Sequence, residues 1–158
     1  MPRIKDKAER EAFKSLRKEF KFDEYSYAIE NAGYVSYISL EHNDLEELPE
    51  RVNKLPNLRK LQIGFNRFTR IHGLVQFSKL QDLGFYATEI SKIEGLDHLP
   101  QLKRLRLFAN KIKKIENLDK LSRLEYLNLC ANQITKIEGL EKLSNLRVLI
   151  LSHYLMLI

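Results

Sequence analysis

A repeat of 22 residues is the feature of this chain that most constrains its fold. Residues 102–123 read LKRLRLFANKIKKIENLDKLSR, and residues 124–145 read LEYLNLCANQITKIEGLEKLSN. Leucine or isoleucine returns at the same seven positions of both copies, and Asn110 of the first copy becomes Asn132 of the second. A fixed period of this length predicts stacked structural units, each too small to bury its apolar side chains alone.

Each copy divides into a strand, a bend and a return. The segment LxxLxL places its last two leucines two residues apart, which is the period of a β-strand. The following segment IxxIxxLxxL has a period of three, which indicates a 3₁₀ turn or an irregular helical return. Stacked copies would align their strands into a parallel sheet and join their apolar columns into one long core.

Further copies extend the pattern towards the N-terminus. We expect five complete repeats starting at residues 35, 58, 80, 102 and 124, and a partial sixth from residue 146. The first is one residue longer, and its Pro49 stands where a helical return could begin. About three repeats suffice for a stable solenoid. The chain is therefore predicted to contain a cap, residues 1–34, and a solenoid, residues 35–158.

An asparagine column is predicted at the bend after each strand. A side-chain amide both donates and accepts, so it can bond backbone groups that a bend leaves unpaired. Thr88 interrupts the column, and we expect local weakening there or repair through water. The predicted structural ladder consists of Asn43, Asn66, Asn110 and Asn132.

These residues resemble the leucine-rich repeat family, whose pattern is L-x-x-L-x-L-x-x-N-x-L, over about residues 35–151. The period and the I-x-x-I-E-G-L turn resemble the intracellular short-repeat class, which includes a regulatory subunit of protein phosphatase 1 and the spliceosomal A-prime protein. The resemblance implies an α/β fold: a right-handed solenoid with a curved parallel sheet on the concave face and 3₁₀ or irregular returns on the convex face. It also implies a non-catalytic protein-interaction scaffold with a regulatory or complex-assembly role. A ribonucleoprotein-associated component is the alternative.

The N-terminal region is predicted to be helical. Between residues 1 and 22, apolar residues recur every four positions, as expected for an amphipathic helix. Such a helix could cap the first repeat, lie on a membrane surface or bind a partner, and the acids on its polar face favour the cap. A second short helix is expected over residues 23–33, ending near Gly33. The face consists of Ile4, Ala8, Ala12, Leu16 and Phe20.

Outward-facing strand positions of a leucine-rich repeat solenoid form its concave face. Arginine and aromatic residues are enriched at interface hot spots, and Arg104 and Arg106 could together grip a carboxylate or phosphate. Three alanines in one column, at 87, 109 and 131, would leave room for a bulky group. A solvated face and a nucleic-acid patch are the alternatives, and Glu41 and Asp82 oppose the latter. The predicted partner-binding residues are Lys60, Phe65, Tyr86, Arg104, Arg106, Phe108 and Tyr126.

Charge and cysteine content bear on partners and compartment. The net charge is +6, but residues 1–22 hold eight basic and four acidic residues, so the solenoid is nearly balanced. We therefore expect a protein partner and no direct binding of nucleic acid. The single cysteine, Cys130, excludes an intramolecular disulfide and favours a reducing compartment. No apolar run approaches the ~18 residues of a membrane span, so a cytoplasmic or nuclear location is predicted.

Catalysis finds little support in the sequence. His42 and His153 lie five repeats apart, and a Cys130–His153 pair is the only nucleophile arrangement worth weighing. No familiar catalytic or metal-ligand spacing is present, so we expect no enzyme activity, cofactor or metal. Basic residues at 70, 92, 114 and 136 form one column, and Glu94, Glu116 and Glu138 follow two positions after the last three, which indicates a charge-balanced convex surface.

The C-terminal segment LRVLIL begins a sixth copy, with Tyr154 where the asparagine belongs. An apolar strand at the open end of a sheet favours association. Three explanations compete: a truncated product, a fragment of a longer chain, and an end that pairs with something, including self-association through this edge.

Overall fold

Eight strands form one sheet in the order of the sequence. The computed structural model describes residues 4–20, 22, 25–30, 32–151 and 156–157. Strands β2 to β7 run parallel, and antiparallel strands flank them at both ends. The elements are α1 (Lys7–Phe20), β1 (Tyr27–Ile29), β2 (Val35–Ser39), a 3₁₀ helix (Glu50–Lys54), β3 (Lys60–Gln62), β4 (Asp82–Gly84), β5 (Arg104–Arg106), β6 (Tyr126–Asn128), β7 (Val148–Ile150) and β8 (Met156–Leu157).

The register of the parallel strands follows the sequence repeat. Leu61 pairs with Leu83, Leu83 with Leu105, and Leu105 with Leu127. All four side chains are fully buried, and the columns on either side of them join one continuous core from Ile4 to Leu149. The predicted leucine-rich repeat solenoid is confirmed.

The returns are built from turns spaced three residues apart. In the third repeat the amide of Leu99 donates to the carbonyl of Leu96, and the amide of Leu102 donates to the carbonyl of Leu99, both at 3.1 Å. The apolar period of three therefore coincides with the hydrogen-bond period. A regular 3₁₀ helix forms in the first return, directly after Pro49, as the position of this proline predicts.

The asparagine ladder bonds neighbouring repeats at the bends. The Asn110 side-chain amide donates to the carbonyls of Phe85 (2.8 Å) and Leu107 (3.1 Å), and its Oδ1 accepts from the amide of Ile90 (3.0 Å). Asn66 and Asn132 make the same kind of contacts. Asn43 begins the ladder, and its side chain donates to the carbonyl of Glu41 (2.6 Å).

At the position where the asparagine is missing, Thr88 bonds the next asparagine of the ladder directly, without a bridging water. Its hydroxyl donates to Oδ1 of Asn110 at 2.5 Å. The threonine is buried, so this contact keeps the third and fourth repeats connected by a side-chain hydrogen bond.

The N-terminal cap differs from the prediction in its second half. Helix α1 packs Phe13 and Leu16 into the core, which supports the capping role. The helix expected over residues 23–33 is wrong: β1 pairs antiparallel with β2. Tyr27 and Ile29 pack against the core on either side of the exposed Ala28, so the local period is two. A strand forms here instead of a helix because the backbone edge of β2 would otherwise be unpaired.

A buried carboxylate joins the cap to the first repeat. The Asp6 side chain accepts from the amide of Glu9 (2.7 Å), which caps α1. Oε1 of Glu9 accepts from the amide of Val35 at 2.6 Å, although Glu9 is only 3% exposed. Burial raises the pKa of Glu9, and the hydrogen bond from Val35 opposes that rise.

At the other end of the sheet, β8 pairs antiparallel with β7. The expectation that the segment LRVLIL has an open edge is therefore wrong, because backbone groups of residues 156 and 157 occupy it. Tyr154 and His153 lie outside the described residues. Self-association stays an untested prediction.

Candidate interaction surface

The strand register places the predicted contact residues in defined columns. Lys60, Arg104 and Tyr126 share one column with Tyr37 and Asp82. Arg106 lies in the next column, two residues further along each strand. Phe65, Tyr86 and Phe108 follow at the ends of the strands. The predicted residues therefore form two groups, one at the strand starts and one at the strand ends.

Four rings from consecutive repeats form an aromatic row: His42, Phe65, Tyr86 and Phe108. The rings of His42 and Phe65 stack with centroids 4.3 Å apart, and those of Tyr86 and Phe108 stack at 4.7 Å. Phe65 meets Tyr86 edge-on at 5.8 Å. Both arrangements are favourable for aromatic pairs. Sequence reasoning included three members of the row and missed His42 as a participant.

Two glycines allow Tyr86 to lie flat on the sheet. A Cβ atom at Gly64 would overlap Cε2 of Tyr86, and one at Gly84 would approach Cε1 to 2.8 Å. The ring therefore occupies the space that side chains would fill at these positions. Sequence reasoning missed both glycines, although each stands in a strand column where most repeats carry a side chain.

Glu41 fixes the outer end of Tyr86. Burial, followed by a hydrogen bond to the Glu41 carboxylate, raises the pKa of Tyr86, so its hydroxyl stays a donor at neutral pH. Glu41 also accepts from the hydroxyl of Ser39 at 2.9 Å. Tyr86, at the centre of the aromatic row, is thus held by packing of its ring against the sheet and by the hydrogen bond of its hydroxyl.

Phe65 combines exposure with an unusual backbone conformation. Its φ is 56°, and its side chain is 47% exposed. The same left-handed conformation recurs down the column, with φ of 49°, 54° and 52° at Ala87, Ala109 and Ala131. The first repeat has the exposed His42 in this conformation, with φ of 58°, so the first two repeats carry aromatic rings where the next three carry alanine.

Arg106 is already engaged within the protein. Its guanidinium forms an ion pair with Asp82 and lies 5.8 Å from the ring centroid of Tyr126. Asp82 is largely buried, and it also accepts from the side-chain amide of Gln62 at 3.2 Å. The two arginines are therefore not equivalent, and their joint grip on a carboxylate or phosphate stays a prediction.

Arg104 and Lys60 stand on either side of Asp82 in the register. Arg104 is exposed, and within the described part of the chain it forms no ion pair, because Asp82 is turned to Arg106. The Lys60 ammonium lies 4.4 Å from the ring centroid of Tyr37. Such a contact holds the lysine without neutralising it.

The charge pairing predicted for the convex surface is found at one position of the column, whereas Lys92–Glu94 and Lys114–Glu116 form no ion pair within the described residues. Lys136 and Glu138 form an ion pair at 2.5 Å, and the hydrogen bond between them lowers the pKa of Glu138 and raises the pKa of Lys136. Other pairs join adjacent repeats, such as Lys111 with Glu89 at 3.0 Å.

Metal-binding and membrane-spanning features are both missing from the described residues. Those residues contain no group of three His, Cys, Asp or Glu side chains arranged to hold a metal ion. None of the helices in the described ranges is long and apolar enough to cross a membrane. Cys130 is half-buried, and His153, its suggested partner, lies outside the described residues.

Comparisons with known proteins agree with this architecture. A family model of leucine-rich repeats in two copies matches residues 122–155. No curated protein matches the chain. Among solved structures, internalin C2 from Listeria monocytogenes is similar with a TM-score of 0.67 and 29% identity, over 74% of this chain and 51% of that one.

Two further structures show how widely the fold is shared. An internalin (inlF) from the same bacterium has a TM-score of 0.67 at 23% identity, covering 77% of this chain and 35% of its own. The leucine-rich repeat ectodomain of the receptor kinase SOBIR1 from Arabidopsis thaliana has a TM-score of 0.72 at 19% identity, covering 96% and 95%. This chain spans about half or less of the two internalin structures. Repeat, register and comparisons together show that the chain folds as a leucine-rich repeat solenoid, and the family model of these repeats matches its residues 122–155.

Proposed function

We propose that this chain is a non-catalytic scaffold that binds a partner protein through the concave face of its sheet. The observation that carries the proposal is the aromatic row, in which His42 and Phe65 are exposed and Tyr86 and Phe108 are half-buried. Leucine-rich repeat proteins are generally protein-interaction scaffolds. Exposed aromatic side chains on a stiff support are typical of interface hot spots.

The support beneath the row is rigid. Tyr86 rests on Gly64 and Gly84, and the asparagine ladder bonds the bends from which the rings project. A surface ordered before binding loses little conformational entropy when a partner arrives. Rigidity therefore favours recognition over a merely solvated face.

A regulatory or complex-assembly role, of the kind that the phosphatase regulatory subunit performs, is the finer form of this proposal and rests on the sequence resemblance alone. The ribonucleoprotein alternative would require a protein intermediary, because Glu41 and Asp82 on the concave face oppose direct contact with a polyanion. A cytoplasmic location likewise stays a prediction, since the similar SOBIR1 structure is an ectodomain.

A capture experiment tests the proposal. The wild type and the double variant Phe65→Ala/Phe108→Ala would each be immobilised, and retained proteins would be identified by mass spectrometry with and without ribonuclease. Val75→Ala is the matched control, because Val75 is 65% exposed and lies on the return, away from the row. Arg106 is unsuitable for substitution, since its loss would leave the buried Asp82 carboxylate unpaired.

We expect proteins that bind the wild type and the Val75 variant to be lost from the double variant, with retention unaffected by ribonuclease. Retention of the same proteins by all three forms would show that the concave face is not the binding surface. Loss upon ribonuclease treatment would favour the ribonucleoprotein alternative. Circular dichroism of each variant would verify that the fold is retained.

A further inference from the structure

The charged side chains of the concave face differ in whether they have hydrogen-bond or ion-pair partners within the protein. Asp82 is bound by Arg106 and Gln62, and Glu41 accepts hydrogen bonds from Ser39 and Tyr86. Both carboxylates therefore already have donors. Arg104 is the opposite case: it is exposed and has no carboxylate partner within the described residues.

Lys60 adds a second cation to this end of the strands. It lies one register step from Asp82, on the side away from Arg104, and its nearest described partner is the ring of Tyr37. The starts of β3 and β5 thus present positive charge that the described part of the chain does not neutralise. A carboxylate from outside would complement this surface, whereas a continuous polyanion would also meet Glu41 and Asp82.

The distance from Arg104 to the aromatic row sets a second requirement, on the spacing of the groups that a partner must present. Arg104 and Phe108 are four residues apart on β5 and its extension, where Ala109 still donates to the carbonyl of Cys130 in the next repeat. Four residues of extended chain span about 13 Å and place both side chains on one face. Arg106 lies between them but is held by Asp82 and Tyr126.

We infer that the partner contributes an extended polypeptide segment that runs along the strand direction and carries an acidic residue for Arg104 and, four residues away, a large apolar residue for the aromatic row. The inference rests on the proposed function and specifies the chemistry of its partner. Arg104 supplies charge selectivity, and the rings of Phe108 and Tyr86 supply the apolar contact area.

A display library of random linear peptides, used as the probe, tests this directly. Selections would be run on the wild type, on Arg104→Glu, on Phe108→Ser and on the control Lys92→Glu. Lys92 is exposed on the bend column of the convex surface, so its substitution makes the same charge change away from the concave face. Selected peptides would then be synthesised and titrated by fluorescence anisotropy, with a single-stranded oligonucleotide as competitor.

We expect the wild type and Lys92→Glu to select peptides with Asp or Glu four positions from a large apolar residue. Arg104→Glu should select Lys or Arg at the acidic position, and replacing the acid by Lys should weaken wild-type binding roughly tenfold or more. Phe108→Ser should lose the apolar preference.

Each other outcome has a defined meaning. If peptides bind the wild type, lose binding to Phe108→Ser and show no acid preference that Arg104→Glu reverses, the acidic partner is wrong and the concave interface stands. If binding is the same on Phe108→Ser and wild type, the proposed interface itself is wrong. Failure to enrich any peptide overturns the extended-segment inference, as does competition by the oligonucleotide, which would indicate a nucleic-acid surface.

Discussion

At the scale of single residues, Asn110 shows how one side chain stabilises a bend between repeats. Its side-chain amide donates to three carbonyls in two repeats, and its oxygen accepts from the backbone amide of Ile90. Backbone polar groups inside a bend cannot all find backbone partners, and an unsatisfied one is destabilising. A threonine at this position provides fewer contacts.

The substitution Thr88→Asn should therefore stabilise the protein. The introduced amide would restore the donor that the other asparagines of the ladder direct to the preceding repeat, as Asn110 does to Phe85. We expect a gain of about 1 kcal/mol in the free energy of unfolding, measured by urea denaturation. Thr88→Ala is the control and should lose stability, because it removes the hydroxyl that donates to Asn110. An unchanged or lower midpoint for Thr88→Asn would show that the third bend does not accommodate the amide.

Glu9 provides a residue-scale prediction of pH dependence. Its pKa is raised by burial, so between the ordinary carboxyl pKa of about 4.3 and the raised value the folded state binds more protons than the unfolded state. The stability contribution of Glu9 therefore falls as the pH rises through the raised pKa. Glu9→Gln keeps an acceptor for Val35 and does not titrate. We expect its stability relative to the wild type to increase between acidic and neutral pH, measured by thermal unfolding in a pH series.

Glu9→Ala separates the charge from the hydrogen bond. It leaves the buried amide of Val35 without its side-chain acceptor, and should be less stable than the wild type by about 1–3 kcal/mol at neutral pH. Equal stabilities of the Gln and Ala variants at all pH values would contradict a bonding role for Glu9.

At the scale of elements, the second to fifth returns each contain one residue in the left-handed conformation. Gly73, Gly95 and Gly139 have φ of 74°, 70° and 71°, and Asn117 takes the same place with 58°. A Cβ at Gly95 would lie 2.5 Å from the carbonyl oxygen of Ile71. At Asn117 the equivalent carbonyl, that of Ile93, accepts from the asparagine side chain at 2.7 Å. A side chain is thus accommodated where it can bond the carbonyl.

Substitutions at Gly95 test this rule. Gly95→Ala should lower the free energy of unfolding by about 1–3 kcal/mol, through both the positive φ and the close carbonyl. Gly95→Asn should lose less, because asparagine tolerates this conformation and supplies a donor as Asn117 does. Urea denaturation of both variants measures the difference. A larger loss for Asn than for Ala would mean that the return cannot widen at this repeat.

At the scale of the whole molecule, stability depends on stacking between adjacent repeats. Ile115 and Ile137 occupy the same column one repeat apart, yet Ile115 is 2% exposed and Ile137 is 56% exposed. Leu129, Ile134, Ile137 and Leu151 border an open cavity of about 200 Å³. The sequence repeat predicts equal burial for the two isoleucines, and their different burial arises from how the repeats stack around them.

The two alanine substitutions should therefore differ in effect. Ile115→Ala should cost about 2–5 kcal/mol of unfolding free energy, because it leaves a cavity in a packed column. Ile137→Ala should cost less than about 1 kcal/mol, since most of its side chain already contacts solvent. Similar losses for both, measured by urea denaturation, would show that Ile137 is covered in solution.

The amino-acid sequence alone determined the period, the parallel register, the asparagine ladder and the positions of the outward columns, because each follows from local patterns repeated at a fixed interval. The solenoid and most of the candidate surface could therefore be predicted. Contacts between columns could not. That Asp82 pairs with Arg106 and not with Arg104, and that Tyr86 lies over Gly64 and Gly84, depends on how side chains from neighbouring repeats share one surface.

The cap shows the same limit. Its helix followed from an apolar period of four, but the segment after it became a strand because β2 offered an edge. The buried position of Glu9 likewise required the first repeat to be in place. Local sequence sets what each segment can form, and tertiary structure selects the partner, since an unpaired backbone or carboxylate is satisfied only by a group brought near from elsewhere in the chain.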